Sequence, residues 1–274
     1  MIREVNTKPA ESDGIESHPR VTQEQWARIL EWNRELPVAL STCVHDLIEQ
    51  HVCNQPQNLA IHAWDGKLSY GEMGAISDRL GRFLVKIGVG RQIFVLLCFE
   101  KSMWAVVAML AVLKAGAACV FLDSSHPFER KQIIGRQVGA GVLLTSAHAC
   151  PQEKITVSTL LVNELFVESI DICSLPALPE TRPDDAAICL FTSGSTGKPK
   201  GIVQEHRATA FSATNCAQVF KIRTGCRVLQ WAAYCFDMSV IDMLMTLVAG
   251  ACLCIPSEKD RMDRLAQSMA SMKV

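Results

Sequence analysis

The sequence predicts an α/β fold in which parallel-rich sheets are flanked by helices, and three observations point there. Short, nearly all-apolar runs recur at 93–99, 118–122, 141–145 and 186–192, and continuous apolar strands of this kind are buried on both faces. Between them lie segments of helical length, with glycines at 88 and 116 closing two of them, so each strand is followed by a covering helix. The 274 residues are 49% hydrophobic but only 6% aromatic, which suits an aliphatic core large enough for one or two domains.

Taken in order, residues 1–20 are polar with scattered proline and glycine and are read as a disordered lead. Residues 21–42 form a linker-like helix and lead-in, because Thr22-x-x-Gln25 is a capping box that opens a helix through about Glu35. A second helix near Val44–Val52 carries apolar residues at 44, 47, 48 and 52. Leu59–Trp64 and Lys67–Tyr70 flank Asp65-Gly66 and read as a hairpin with a primed turn. Helix 72–87, strand 93–99, helix 102–114 and strand 118–122 follow; Pro127 opens a helix to about Val138, leading to the strand at 141–145. Pro176, Pro179 and Pro183 mark 171–185 as an internal linker between a first lobe, 43–170, and a second, 186–274. The second lobe reads as strand 186–192, helix 207–220, strand 227–231, helix 238–249, strand 251–255 and a helix from about 260, where Leu265, Met269 and Met272 recur at core spacing.

Composition excludes several classes. Lys plus Arg is 27 against 28 Asp plus Glu, a net charge of −1, so no basic footprint for nucleic acid or an anionic membrane exists. Twelve cysteines are spread along the chain, mostly inside apolar runs and without a Cys-x-x-Cys, which reads as small buried hydrophobes in a reducing compartment. Cys252 and Cys254 share a strand face, and packing explains them better than a metal. The uncharged stretch Ser102–Leu113 is too short to span a bilayer and reads as a buried helix closed by Lys114. The N-terminus has Arg3, Glu4 and Lys8 without an apolar run behind them, so the expectation is a cytoplasmic protein without a signal peptide.

Residues 188–201, Ile-Cys-Leu-Phe-Thr-Ser-Gly-Ser-Thr-Gly-Lys-Pro-Lys-Gly, deliver a strand into a loop dense in hydroxyls, glycines and lysines. Converging backbone N–H groups, hydroxyl donors and a lysine charge suit a polyphosphate. It is not the Walker loop, since Thr192 stands where that pattern needs glycine. Asp237 has two readings from its surroundings alone: a cap for the helix starting near Ser239, or a fixed counter-charge for an ammonium in an apolar pocket. His206 reads as packing or capping at a helix start, and His126 before Pro127 as a turn residue.

The loop resembles the signature segment of the adenylate-forming, AMP-binding enzymes. Three further stretches resemble the amino-acid adenylation domains of nonribosomal peptide synthetases, of the fungal type: Leu68-Ser-Tyr-Gly-Glu-Met73, Leu113-Lys-Ala-Gly-Ala-Ala-Cys-Val-Phe-Leu-Asp123, and Phe236-Asp-Met-Ser239. The resemblance runs from about Trp26 to the last residue, and Trp32-Asn33 with Pro37 is similar to the family's lead-in. Phe121 and Ser124 depart from prolines usual in the second motif.

The resemblance implies that Thr192, Ser193, Gly194, Ser195, Thr196 and Gly197 hold ATP phosphates, with Lys200 as a mobile catalytic cation, Lys198 as a weaker candidate, and Gly194, Gly197 and Gly201 supplying backbone freedom. It implies that Asp237 binds the substrate amino group, and that Phe236, Met238 and Ile241 line an apolar side-chain pocket. The implied cofactor is ATP with Mg2+, with no metal ligand assigned in this chain and no phosphopantetheine site. The implied partners are an amino acid and other synthetase modules or carrier domains in trans, with no nucleic acid or membrane. The family domain is about twice this length, so the chain is expected to be a truncated N-terminal portion, inactive alone as a secondary-metabolism ligase. The alternatives are a fragment of a longer protein, or a non-catalytic remnant, scaffold or regulatory partner of a complete synthetase. The remnant reading expects an open apolar flank at the strand 251–255.

Overall fold

The computed structural model describes residues 21–34, 40–149, 157–193 and 199–274. The chain divides into two units, 1–38 and 39–274. The described part of the first is α1 (Gln23–Trp32), where the Thr22 hydroxyl accepts from Gln25 N at 3.2 Å and the Gln25 amide oxygen accepts from Thr22 N at 2.9 Å. This is the capping box expected. The helix stops short of Glu35 because Asn33 turns both its backbone N–H and its side-chain amide onto the Ile29 carbonyl. Glu35 and Pro37, like the lead 1–20, lie outside the described residues.

In the second unit the order is α2 (Val44–Asn54), β1 (Leu59–Ala63), β2 (Gly66–Ser69), α3 (Tyr70–Lys86), β3 (Phe94–Cys98), α4 (Met103–Lys114), β4 (Ala118–Leu122), α5 (Phe128–Gln137), β5 (Val142–Thr145), β6 (Ser158–Leu161), α6 (Glu164–Glu168), β7 (Ala186–Ser193), β8 (Pro199–Glu205), α7 (His206–Val219), β9 (Arg227–Leu229), α8 (Asp237–Val248), β10 (Cys252–Ile255), α9 (Glu258–Asp263) and α10 (Leu265–Met272). A six-stranded sheet runs β6-β5-β3-β4-β7-β8, and a four-stranded sheet runs β2-β1-β10-β9. Only the pairs β1–β2 and β7–β8 are antiparallel among those described.

Period-two alternation on β3 and β4 fixes the layers. Val95, Leu97, Cys119 and Phe121 join the main core with α3, α4, α7, α8 and β10, while Leu96, Cys98, Val120 and Leu122 pack with Ile134 of α5. α4 is apolar on every face because it touches α3 together with β1, β3 and β4. Its closing Lys114, almost fully buried, is held by Glu49 at 2.8 Å and Asp78 at 2.5 Å. Beneath the smaller sheet Cys252 and Cys254 pack with Met272, as expected of small hydrophobes, and no disulfide joins the described cysteines. No helix among the described residues is long and apolar enough to cross a membrane.

Several expectations are corrected. The β1–β2 turn is Trp64-Asp65 rather than Asp65-Gly66, and neither residue has positive φ. Asp65 is committed elsewhere: its carboxylate accepts from Ser102 Oγ at 2.6 Å and Met103 N at 3.1 Å, tying the turn to the start of α4. The division into lobes does not follow the sheets, since each sheet draws strands from both sides of 171–185. That proline-rich stretch is strapped to α3, where Arg82 donates to the Pro176 and Leu175 carbonyls at 2.8 and 3.0 Å. The strand at 251–255 is β10, buried between β1 and β9, so the open flank is absent there. The last helix is broken at Arg264 into α9 and α10.

Candidate functional site

The hairpin β7–β8 carries the hydroxyl- and glycine-rich segment. Its pairs Thr192↔Lys200 and Ser193↔Pro199 bring the two ends of that segment side by side. Gly194, Ser195, Thr196, Gly197 and Lys198 lie outside the described residues. Lys200 is exposed on β8, opposite Thr192. Gly201 sits in this strand without positive φ, so backbone freedom is not its purpose. A Cβ there would lie 3.0 Å from the Phe191 ring and 3.4 Å from Cys189 Sγ, and the missing side chain makes room for that ring. On the flank of the hairpin, Gln137 of α5 donates to the Pro199 carbonyl at 3.2 Å.

The second component is the segment 230–237 between β9 and α8. Lys101, buried at the end of β3, donates its ammonium to Gln230 Oε1 and the Ala232 carbonyl and sits 4.4 Å over the Tyr234 ring. Gln230 in turn donates to the Ala232 carbonyl and to Ser239 Oγ, each at 2.9 Å. Burial, helped by the Arg261 charge, brings the Lys101 amine down to about 7. Cys235 donates to Asp123 Oδ2 at 3.5 Å, and burial, then that carboxylate, push its thiol up to about 11. Burial alone would raise Asp123, but hydrogen bonds from Ser125 outweigh it and hold the carboxyl below its usual range.

Phe236 is the cap residue of α8 and Asp237 its first residue, not its cap. The Asp237 carboxylate accepts from Met238 N at 2.7 Å and remains exposed, at the positive end of the helix dipole.

These components meet. A cleft of ≈ 410 Å³ is lined by Leu190–Thr192 of β7, Ile202 and Gln204 of β8, Cys235–Asp237, and His126 and Arg130. Thr192, Phe236 and Asp237 are therefore brought together, while Met238, exposed, and Ile241, half-buried, lie further along α8 outside the lining. Arg130 in the first turn of α5 escaped the sequence reading, which had no signal for it beyond a lone charge on a helix. His126, read as a turn residue, does turn, its N–H donating to the Asp123 carbonyl at 3.2 Å, and also faces the cleft.

His206 is fully buried at the start of α7, with its ring edge-on to His45 at 5.1 Å and no hydrogen-bond partner on either nitrogen among the described residues. Packing is its role. Burial, then His45, bring it down to about 4; burial, then Lys114, do the same for His45. Ligand atoms of Cys43, His45 and Asp46 also lie close together, away from the cleft, but the Lys114 charge acts against a cation there. Within the cleft lining Asp237 is the sole described carboxylate. A Mg2+ site takes one or two carboxylates with substrate phosphates, and Asp237 is the carboxylate that the described lining offers.

Comparison with known proteins follows the same lines. The family described as AMP-binding enzyme matches residues 48–274. The chain is 40% identical over 250 residues to the nonribosomal peptide synthetase apmB and 42% identical over 246 residues to the N-benzoylphenylalaninol synthetase apmA, both of Penicillium brevicompactum. Each alignment covers 90% of this chain but only 11% and 10% of the relative. D-lysergyl-peptide-synthetase subunit 2 of Epichloe festucae var. lolii is 40% identical, with 90% of this chain and 19% of the relative covered. The chain thus spans a tenth to a fifth of the length of these relatives. Among solved structures, a variant of the nonribosomal peptide synthetase FmoA3 in its AMPPNP-bound form matches with a TM-score of 0.82 at 24% identity, over 93% of this chain and 27% of that one. VinN in complex with 3-methylaspartate matches with a TM-score of 0.76 at 18% identity, over 87% and 66%. At these identities the structural matches show a shared fold.

Proposed function

This chain belongs to the AMP-binding enzyme family, and on that premise we propose that it is part of an amino-acid adenylation domain of a nonribosomal peptide synthetase, working in secondary metabolism. The observation that carries the proposal is that Thr192 and Asp237, some forty positions apart, line one cleft. In this reading the β7–β8 end, with Thr192 and Ser193, Gly194–Gly197 and Lys200, holds the phosphates of ATP, and Asp237 holds the ammonium of an amino acid. The substrate carboxylate oxygen then bonds to the α-phosphorus while the bond to the bridging oxygen breaks, and pyrophosphate leaves with the electron pair. ATP carries its own leaving group, so the protein's task is to position the reactants and offset charge. Phe236 forms an apolar wall beside the ammonium site, and Met238 and Ile241 are assigned to the side-chain pocket. ATP carries Mg2+ as its own counter-ion, and no step is assigned to a protein-bound metal.

The chain spans only a tenth to a fifth of the length of its relatives, and this chain alone is proposed to turn over poorly or not at all. The second reading is that the chain serves as a non-catalytic docking partner of a complete synthetase. The test is exchange of labelled pyrophosphate into ATP over a panel of amino acids. Amino-acid-dependent exchange that Asp237→Ala abolishes supports the enzyme. ATP binding without any exchange supports the second reading, and exchange whose amino-acid dependence survives Asp237→Ala defeats the ammonium assignment.

A further inference from the structure

Arg130 is the one strong cation among the described residues lining the cleft, and its position is unusual for a guanidinium. Among the described residues its buried Nε has no hydrogen-bond partner, and the rest of the group makes no ion pair or side-chain hydrogen bond. Enclosed charged donors are ordinarily paired, because leaving one unmet costs on the order of 1–3 kcal/mol or more. Glu129 beside it is exposed, and the nearby Asp123 is already taken by Ser125 and Cys235. The Arg130 charge is felt by both His126 and Cys235, which places it between the α5 side of the cleft and the segment leading to Asp237. α5 itself is tied to the start of β8 through Gln137 and Pro199. The cleft is therefore bipolar, with a carboxylate at Asp237 and an unmet guanidinium at Arg130.

We propose that Arg130 is a ligand-binding residue that takes the phosphate oxygens of a polyphosphate lying in the cleft beside Thr192. The assignment rests on the adenylation reading above. A planar fork of N–H donors suits phosphate oxygens better than a point charge does. A phosphate there satisfies the buried Nε and leaves Asp237 for the ammonium, so one cleft orients a doubly charged pair of reactants by sign. α5 serves as a third wall, and the sequence motifs do not include it.

The experiment is calorimetric titration of the full chain with MgATP, inorganic pyrophosphate and the amino acid preferred in exchange or binding, comparing wild type with Arg130→Gln and Arg130→Lys. For Arg130→Gln, affinity for pyrophosphate and ATP falls about ten- to a hundredfold, the equivalent of one charge-assisted contact, while amino-acid binding is unchanged. Arg130→Lys keeps the charge without the fork and loses less, and it carries the test if the glutamine variant melts early. Equal pyrophosphate affinity in wild type and both variants overturns the inference and leaves the adenylation reading standing. Loss of amino-acid affinity with pyrophosphate unaffected also overturns it, by assigning Arg130 to the substrate carboxylate. A wild-type chain that binds neither ATP nor pyrophosphate overturns both.

Discussion

One side of the cleft hangs from a buried lysine, and the other stands at the edge of a sheet. Segment 230–237 is fixed by the Lys101 ammonium, by Gln230 bridging to Ser239, and by Tyr234 packed under the charge. The β7–β8 hairpin is held on its outer side by backbone pairing and the single Gln137 amide on the Pro199 carbonyl, with Ile202 and Val203 exposed. On the proposed function the difference matters most for Asp237. An ammonium site must keep a carboxylate at a set position, so its support is polar, short-range and buried. An edge hairpin carries fewer such ties than a buried segment does.

The largest effect expected concerns the root of the hairpin. β8 runs directly into α7, so buried His206 and its neighbour His45 anchor the hairpin's far end. Both imidazoles sit at about 4, well below the ordinary 6.5. The unfolded chain therefore binds more protons than the folded one between roughly pH 6.5 and 4. Stability rises with pH through that window and is lost as pH falls through it, by about 3 kcal/mol for each imidazole. Thermal melts in steps from pH 7 to 4 read this directly. In His206→Phe the slope should drop by about half, and an unchanged slope breaks the assignment.

Next is the lysine on the opposite side. Lys101→Ala strips Gln230 and Ala232 of their donor and leaves a void beside Tyr234, for an expected loss of about 3 kcal/mol in urea unfolding. A loss within about 0.5 kcal/mol, the range of ordinary surface changes, would mean that 230–237 does not depend on it. The smallest effect is at Gly201→Ala, where the new methyl meets a half-buried phenyl ring that can shift. About 1 kcal/mol is expected, read as a small fall in melting temperature. If this substitution outweighs the lysine change, the contrast between a fixed and a yielding side is reversed.

Much of this architecture can be read in the residues. Runs such as Phe94–Cys98 and Ala118–Leu122 are apolar on both faces, so a buried parallel sheet follows from composition alone. The Thr22/Gln25 box marks the start of α1, and Thr192 and Asp237, singled out by their motifs, line one cleft. β8 escaped because Pro199, Lys200 and Gly201 read as loop, whereas an edge strand tolerates proline at its start and needs apolar residues on neither outer face. β6, mostly exposed, gave no apolar run to notice. Arg130 and Lys101 were invisible for a different reason. Their importance comes from what surrounds them in space, and neither has a partner within reach along the chain.

The small sheet has one further implication. β1 lies parallel to β10, with Ile61 opposite Leu253, so its central pairing joins the two ends of the second unit. On a ribosome, β1 and β2 would leave the tunnel long before β10 exists, and the face of β1 that pairs with it would wait unpaired. Closure over so long a loop is entropically slow. Closure of the small sheet is thus gated by β10, and protection of β1 during synthesis should appear only when residues near 255 have emerged.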